Sequence, residues 1–374
     1  MINCQGRRLQ YGFAYLISLS LLLTQLINSS AYPLHLAGAV NSNIDSISIA
    51  DEDLSEISIP ESTEEEEEGA SQIPHSAIAK VQSYNLEKTV RELSSFHTRH
   101  SESEFIGDAA YWLAEKLQGV CGTDVFLQNF TIIPDKTNDY DEEDLNGSHG
   151  QKPFSYNLTN IACVKPGSTN NTIIVSAHYD SRTKVLNDSK GRAPGADDNA
   201  SGVSILLEVA RILSNLSLEH SISFVLFSGE EQGKWGSKYY ADIINEADID
   251  LELLINLDMV GFQSQGSNNF LVEYDNGNVV QDNDMYSQSI AQFIKDIALK
   301  YTGLNTTLGI LGNADYLPFE ALGYTVIGFH DDGVTKNPNY HRSSDTHDTL
   351  DYEYMASITN LTIATILQLD KLVA

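Results

Sequence analysis

The sequence predicts an α/β fold, a three-layer α/β/α sandwich whose central sheet is mixed and mostly parallel. Three observations predict it. The stretches "TIIVSAHYD" and "SISFVLFSGEE" are continuously apolar and end in polar residues, the pattern of strands buried on both faces. Amphipathic helical stripes alternate with them. An early pair of strands reads as an antiparallel hairpin, which makes the sheet mixed.

The elements follow in order. Arg7 and Arg8 precede an apolar run from about Tyr11 to Leu23 and the small residues Ser29, Ser30 and Ala31. Residues 1–31 are therefore expected to be an export signal; the run falls short of the ~20 apolar residues of a membrane span. Residues 32–79 hold eleven acidic residues and no Lys or Arg, with five consecutive glutamates at Glu64–Glu68. Such a segment buries too little apolar surface to offset its ordering entropy. It reads as an acidic propeptide or linker, and composition does not separate the two.

A globular pattern occupies residues 80–374. Leu86, Val90 and Leu93 form one helical stripe; Phe105, Ala109, Trp112, Leu113 and Leu117 form a second. "TDVFLQNFTII" and "SYNLTNIACV" read as strands. Paired antiparallel, the start of the first lies beside the end of the second, so Cys121 and Cys163 are expected to form a disulfide. "TIIVSAHYD" follows, then a helix carrying Val203, Leu206, Leu207, Ala210 and Leu213, the strand of "SISFVLFSGEE", a helix at "SKYYADII" and a strand within "DLELLINLDMVG". A helix near Tyr286 to Tyr301, a strand at "YTVIGFH" and a helix from about Tyr352 complete the chain.

The formal charge of −30 argues against nucleic acid and anionic membrane surfaces as partners. No later stretch is long and apolar enough to span a bilayer, so no stable membrane anchor is expected. Eight N-x-S/T triplets, at Asn129, Asn146, Asn157, Asn170, Asn187, Asn215, Asn305 and Asn360, are candidate glycosylation sites of an exported protein, secreted or vacuolar. Asn199 lies in a ninth and is expected to be buried and unmodified.

Polar residues interrupt the buried strands at their carboxyl ends, the edge where α/β sheets assemble sites. His178 and Asp180 end one strand, Glu230 and Glu231 another, and Asp258 a third. Asp197 and Asp198 stand side by side in "PGADDNASG", and His341 lies in "NPNYHRSSDTHDTLD". Gathered at one edge without a cation, these groups would repel one another and be costly to desolvate. Imidazole with carboxylate is a ligand set that suits zinc, and the acids exceed what one tetrahedral ion needs.

"SAHYDS", "PGADDNASG", "SGEEQGKWGS", "NLDMVG" and "YHRSSDTHDTL", in this order, resemble the secreted two-zinc aminopeptidases, the bacterial and fungal extracellular leucine aminopeptidases among them. The resemblance runs from about residue 80 to the end. It implies a zinc-exopeptidase-like fold, two Zn²⁺ per chain, and a monomer acting on peptides with a free N-terminus. His178 and Asp258 would hold one zinc, Glu231 and His341 the other, with Asp198 bridging. Glu230 would be the general base. Asp180 would orient His178, and Asp345 would do likewise near His341. A cis peptide would join Asp198 to Asn199. Met259, Phe329 and Tyr340 match an apolar pocket for the first side chain. The tyrosine that this family places near the reacting carbonyl, before the stretch matched by "GNADYLPF", has no counterpart in "LGIL", which leaves that role unassigned. Two alternatives share the fold: a single-zinc glutaminyl-peptide cyclase and a non-catalytic ectodomain.

Overall fold

The computed structural model describes residues 74–132, 155–264, 266–331 and 337–372. The export signal, the acidic segment up to residue 73 and Asn146 lie outside these residues.

Eight strands form one sheet: β1 (Val125–Ile132), β2 (Tyr156–Lys165), β3 (Thr172–His178), β4 (Ser221–Phe227), β5 (Leu251–Leu257), β6 (Asn269–Tyr274), β7 (Asn305–Ile310) and β8 (Val326–Asp331). Their spatial order is β1-β2-β4-β3-β5-β8-β6-β7. The central β4, β3, β5 and β8 run parallel, flanked by antiparallel pairings of β2 on β4 and β6 on β8. The helices are α1 (Ser83–Leu93), α2 (Ile106–Cys121), α3 (Gly202–Leu213), α4 (Trp235–Glu246), α5 (Asp284–Tyr301), the short α6 (Leu317–Glu320) and α7 (Tyr352–Leu372).

Alternation along the central strands divides the core into two layers. Ile173, Val175, Phe224 and Leu226 face one layer, packed with Leu206, Val209 and Leu213 of α3 and Ile358 and Leu361 of α7. Their neighbours Ile174, Val225 and Phe227 face the other, against Tyr240 of α4 and Phe319 of α6. Successive Cβ atoms of a strand point to opposite faces, so strands buried on both sides must be apolar throughout. The three-layer sandwich follows. Among the described residues no helix is long and apolar enough to cross a membrane.

The disulfide joins Cys121, at the end of α2, to Cys163, which pairs with Val125 in the β1–β2 ladder. Two strands were not legible in the sequence. β6 buries only part of its length, and β7 is an edge strand whose Asn305, Thr307 and Ile310 are exposed. Neither carries the continuous apolar run of a central strand.

At the sheet edge opposite the strands' carboxyl ends, the buried His220 sits between Asp370 of α7 (Nδ1 to Oδ1, 3.0 Å) and Glu252 of β5 (Nε2 to Oε2, 2.8 Å). Hydrogen bonds donated to Asp370 and Glu252 push the pKa of His220 up to about 9. A group raised on folding stabilises fully below its unfolded value, ~6.5, and loses that contribution as pH rises through the folded value. Thermal unfolding from pH 6 to 10 is therefore expected to show a stability loss centred between those values. His220→Gln is expected to remove that step and to cost about 2 kcal/mol at pH 6.

Candidate metal centre

The parallel order β4-β3-β5 places the carboxyl ends of three adjacent strands side by side. His178 is the last residue of β3, Glu230 and Glu231 lie just beyond β4, and Asp258 follows β5 directly. The turn Ala196–Ser201, entering α3, brings Asp198 over them, and the late loop adds His341.

Asp198 is the hinge of the arrangement. Its Oδ1 lies 3.2 Å from His178 Nε2, which is 3.4 Å from Asp258 Oδ1. Its Oδ2 lies 3.0 Å from His341 Nε2, which is 3.1 Å from Glu231 Oε2. Two trios result, His178–Asp198–Asp258 and Asp198–Glu231–His341. Within each, the ligand atoms all lie within 4.8 Å of one another. Ligands at 2.0–2.2 Å around a tetrahedral ion stand roughly 3.3–3.5 Å apart, close to these separations. His341 Nε2 and Glu231 Oε1 are buried and make no hydrogen bond. Two carboxylate oxygens thus sit beside the imidazole nitrogen without lying along a donor direction. Groups so placed could face a shared cation rather than each other. The donor set fits zinc in both places.

The electrostatics agree. Burial alone would lower His178, yet the charge of Asp258 and the contacts with Asp180, Asp198 and Asp258 hold it well above its ordinary value. His341 is pushed up to about 9 against its burial by Asp198 and Glu231. Asp198, despite burial, is held well below the carboxylate range by the two imidazoles. Glu230 goes the other way: burial first, then Asp315, Asp258 and Glu231, push it well up, opposed by His178. A carboxyl poised high is suited to accept and return a proton.

Backbone amides hold the pieces in register. Asp180 accepts from the amides of Glu230 (3.2 Å) and Glu231 (3.1 Å), and its Oδ1 lies 3.6 Å from His178 Nδ1. Asp345 accepts from the amides of Asp197 (3.0 Å) and Asp198 (3.2 Å), so it serves the turn of Asp198 rather than His341. Asp197 accepts from Gly261 and Phe262 and from the Asn337 side chain. The Asp198–Asn199 peptide is cis. Asn199 is fully buried, its Nδ2 donating to Leu257 O and its Oδ1 accepting from the amides of Gly202 and Met259. A Cβ on Gly202 would come within 2.5 Å of both Leu257 O and Asn199 Oδ1, so the helix can start here only with glycine. His341 itself takes a left-handed φ of 55°, a conformation costing a non-glycine residue about 1–2 kcal/mol.

Sequence reasoning missed Arg99 and Arg182. Arg99 is wholly buried and donates only to carbonyls: Nε to Tyr179 O (2.7 Å), Nη2 to Gly195 O (2.8 Å), and Nη1 to Leu93 O and Pro194 O. It thereby ties the segment between His178 and Asp180 to the turn bearing Asp198. Burial lowers it to about 10, opposed by Asp345, Asp180, Asp198 and Glu231, so it remains a cation. Arg182 Nε donates to Glu231 Oε2 at 2.7 Å. Nothing in "SSFHTRHSES" or "HYDSRTK" distinguishes these arginines from surface ones.

The pocket candidates fall in three different settings. Phe329 is fully buried against Phe270, ring centroids 5.2 Å apart, within the core. Met259 is nearly buried at a left-handed φ of 50°. Tyr340 is half-buried and stacks on the His341 ring at 3.7 Å. Burial, then Asp198 and Glu231, raises its phenol, while Arg182 opposes. Tyr340 therefore lies beside His341 and stays protonated. Of the sequons, Asn129, Asn157, Asn170, Asn187, Asn215 and Asn305 are exposed, and Asn360 is half-buried on α7.

The profile of peptidase family M28 matches residues 160–366, more than half of the chain and the whole span from β2 to α7 that carries these ligands. The chain belongs to peptidase family M28. Its relatives include a probable zinc metalloprotease of Pyrenophora tritici-repentis, 29% identical over 300 residues, which are 70% of this chain and 65% of that protein. A probable leucine aminopeptidase of Trichophyton verrucosum is 29% identical over 294 residues, 75% of this chain and 71% of that protein. The chain thus spans about two thirds of the length of these relatives. The crystal structure of a Bacteroides thetaiotaomicron glutaminyl cyclase bound to N-acetylhistamine superposes with a TM-score of 0.61 at 20% identity, covering 77% of this chain and 98% of that one; the likeness is one of fold.

Arg99→Met is expected to remove a donor from four carbonyls, of which Gly195 O keeps the Ala200 amide, and to free the Asp198 turn from β3. Loss of buried, charge-assisted bonds of this kind costs about 3–5 kcal/mol. Denaturant melts of the two proteins check it, with Arg99→Lys intermediate.

Proposed function

We propose that this chain is a secreted metallo-aminopeptidase that binds two zinc ions and removes the N-terminal residue from peptides, preferring leucine or another apolar residue. The observation that carries the reading is Asp198, whose two oxygens serve two separate trios of imidazole and carboxylate. The name of the Trichophyton relative supports the leucine preference. The signal-like N-terminus, the Cys121–Cys163 disulfide and the exposed sequons support export.

His178, Asp198 and Asp258 would hold one ion, and Asp198, Glu231 and His341 the second. When bound, zinc supplies Lewis-acid activation of water and of the scissile carbonyl. The chain's residues do the rest. Glu230 takes the proton of the attacking water and returns it to the leaving amine. Tyr340, held protonated over the centre, donates a hydrogen bond to the oxyanion that develops on the carbonyl; it fills the role that the sequence left unassigned. The surplus of carboxylates favours a cationic α-amine at the same place, which restricts cleavage to the N-terminal residue.

Glu230→Gln is expected to retain the wild-type zinc content while kcat falls by about 10²–10⁴; turnover of a leucine anilide together with metal analysis checks it, and near-wild-type turnover refutes the base. Tyr340→Phe is expected to lower kcat by about 10²–10³ with little change in KM, read from the same assay. Two zinc per chain with release of N-terminal residues supports the peptidase. One zinc, with ring closure of N-terminal glutamine, would identify a cyclase instead.

A further inference from the structure

The loop joining β3 to the Asp198 turn is the one basic place on a strongly acidic chain. The chain has 22 Lys and Arg against 52 Asp and Glu, yet Arg182, Lys184, Lys190 and Arg192 fall within eleven residues, and no other window of that length holds four. Lys184, Lys190 and Arg192 are exposed, and among the described residues none of their side chains makes an ion pair or a hydrogen bond. Between Arg182 and Arg192 the single acid, Asp188, is turned onto the loop itself, accepting from the amides of Lys190 (3.2 Å) and Gly191 (2.8 Å). Between the charges, Val185 and Leu186 stand 65% and 43% exposed. The loop is not loose: His97 and His100 contact the carbonyls of Lys190 and Leu186, and Thr98 bridges to Ala193 at its end. Arg182 ties its start to Glu231. It therefore presents fixed positive charge and apolar surface at the rim of the metal centre.

We propose that this loop is a docking surface for the chain's own acidic segment, with the run Glu64–Glu68 lying against Lys184, Lys190 and Arg192. Charge complementarity singles out this occupant: the run is the densest acidic stretch of the sequence, and it meets the densest basic one. Its flanks, with Ile57, Ile59 and Ile73, offer apolar partners for Val185 and Leu186. Glu64–Glu68 stand six to ten residues before Pro74, the first described residue, a reach of about 20–36 Å. The docking is independent of the chemistry proposed above.

The test is zero-length carbodiimide crosslinking of the chain that retains residues 32–374, in an Asn187→Gln background, followed by peptide mass spectrometry. Amide crosslinks are expected from Glu64–Glu68 to Lys184 and Lys190 within one chain. They should vanish in 1 M salt, where the screening length falls to about 3 Å from about 10 Å at 0.1 M. Lys184→Glu, Lys190→Glu and Arg192→Glu together should abolish them without shifting the melting temperature. Changing Glu64–Glu68 to Lys in that same variant should restore crosslinks with the polarity reversed. Crosslinks from the run to other lysines, crosslinks only between isotopically distinct chains, or failure of the charge swap to restore them would each overturn the proposal.

Discussion

The structure depends on one constraint: six acids, Asp180, Asp197, Asp198, Glu230, Glu231 and Asp258, crowd the carboxyl edge of three neighbouring strands, with Asp345 joining them from the late loop. Like charges at such spacing disfavour one another's ionisation, and burial adds to the effect. Asp197 is pushed up to about 6 and Asp345 to about 8, in each case by burial first. A fold that kept these groups without compensation would lose more by desolvation than it gained by packing. The compensation comes in layers. Two imidazoles face the acids, one buried arginine stands behind them, and the trios gather lone pairs that could serve a cation.

The acids that do not face the centre perform a second task, and they perform it in the same way. Asp180, two residues beyond His178, receives the successive amides of Glu230 and Glu231. Asp345, four residues beyond His341, receives those of Asp197 and Asp198. Asp197 receives those of Gly261 and Phe262, just past Asp258. Each ligand-bearing segment therefore grips the backbone of another. A carboxylate that accepts two adjacent amides fixes both the position and the direction of the chain there. The ligands are then placed by backbone geometry, which varies less than long side chains do. Arg99 closes the set by gripping carbonyls where the aspartates grip amides.

This division explains what was legible in the sequence. The central strands β3, β4, β5 and β8 announced themselves because burial on both faces forbids polar interruption. The same rule exposed His178, Glu230, Glu231 and Asp258, since a polar residue at the end of such a strand needs a reason. β6 and β7 lie where the sheet is only half covered, and their mixed composition resembles a loop. The latches were hidden for another cause. An acceptor's partner here is an amide, which every residue but proline carries, so no letter marks it. The resemblance implied Asp345 beside His341; its carboxylate instead takes the amides of Asp197 and Asp198. Tyr340 was read as pocket lining from the resemblance; it stacks on the His341 ring, a contact that no sequence pattern marks.

On the proposed reading, with Asp198 and His341 as ligands, metal and fold are coupled through the same contacts. His341 holds a left-handed backbone, and Asp198 sits in a turn that needs Gly195 and Gly202, so neither ligand is in a conformation the chain would adopt alone. Asp345 and Arg99 enforce those conformations before any ion arrives. The enforcement has an electrostatic cost, because it brings ionisable groups together that would otherwise separate. An ion that binds only this arrangement returns that cost as stability of the folded chain. The latches and the ligands are thus two halves of one device: the first makes the repulsive geometry available, and the second makes occupation by a divalent cation the favourable way to relieve it.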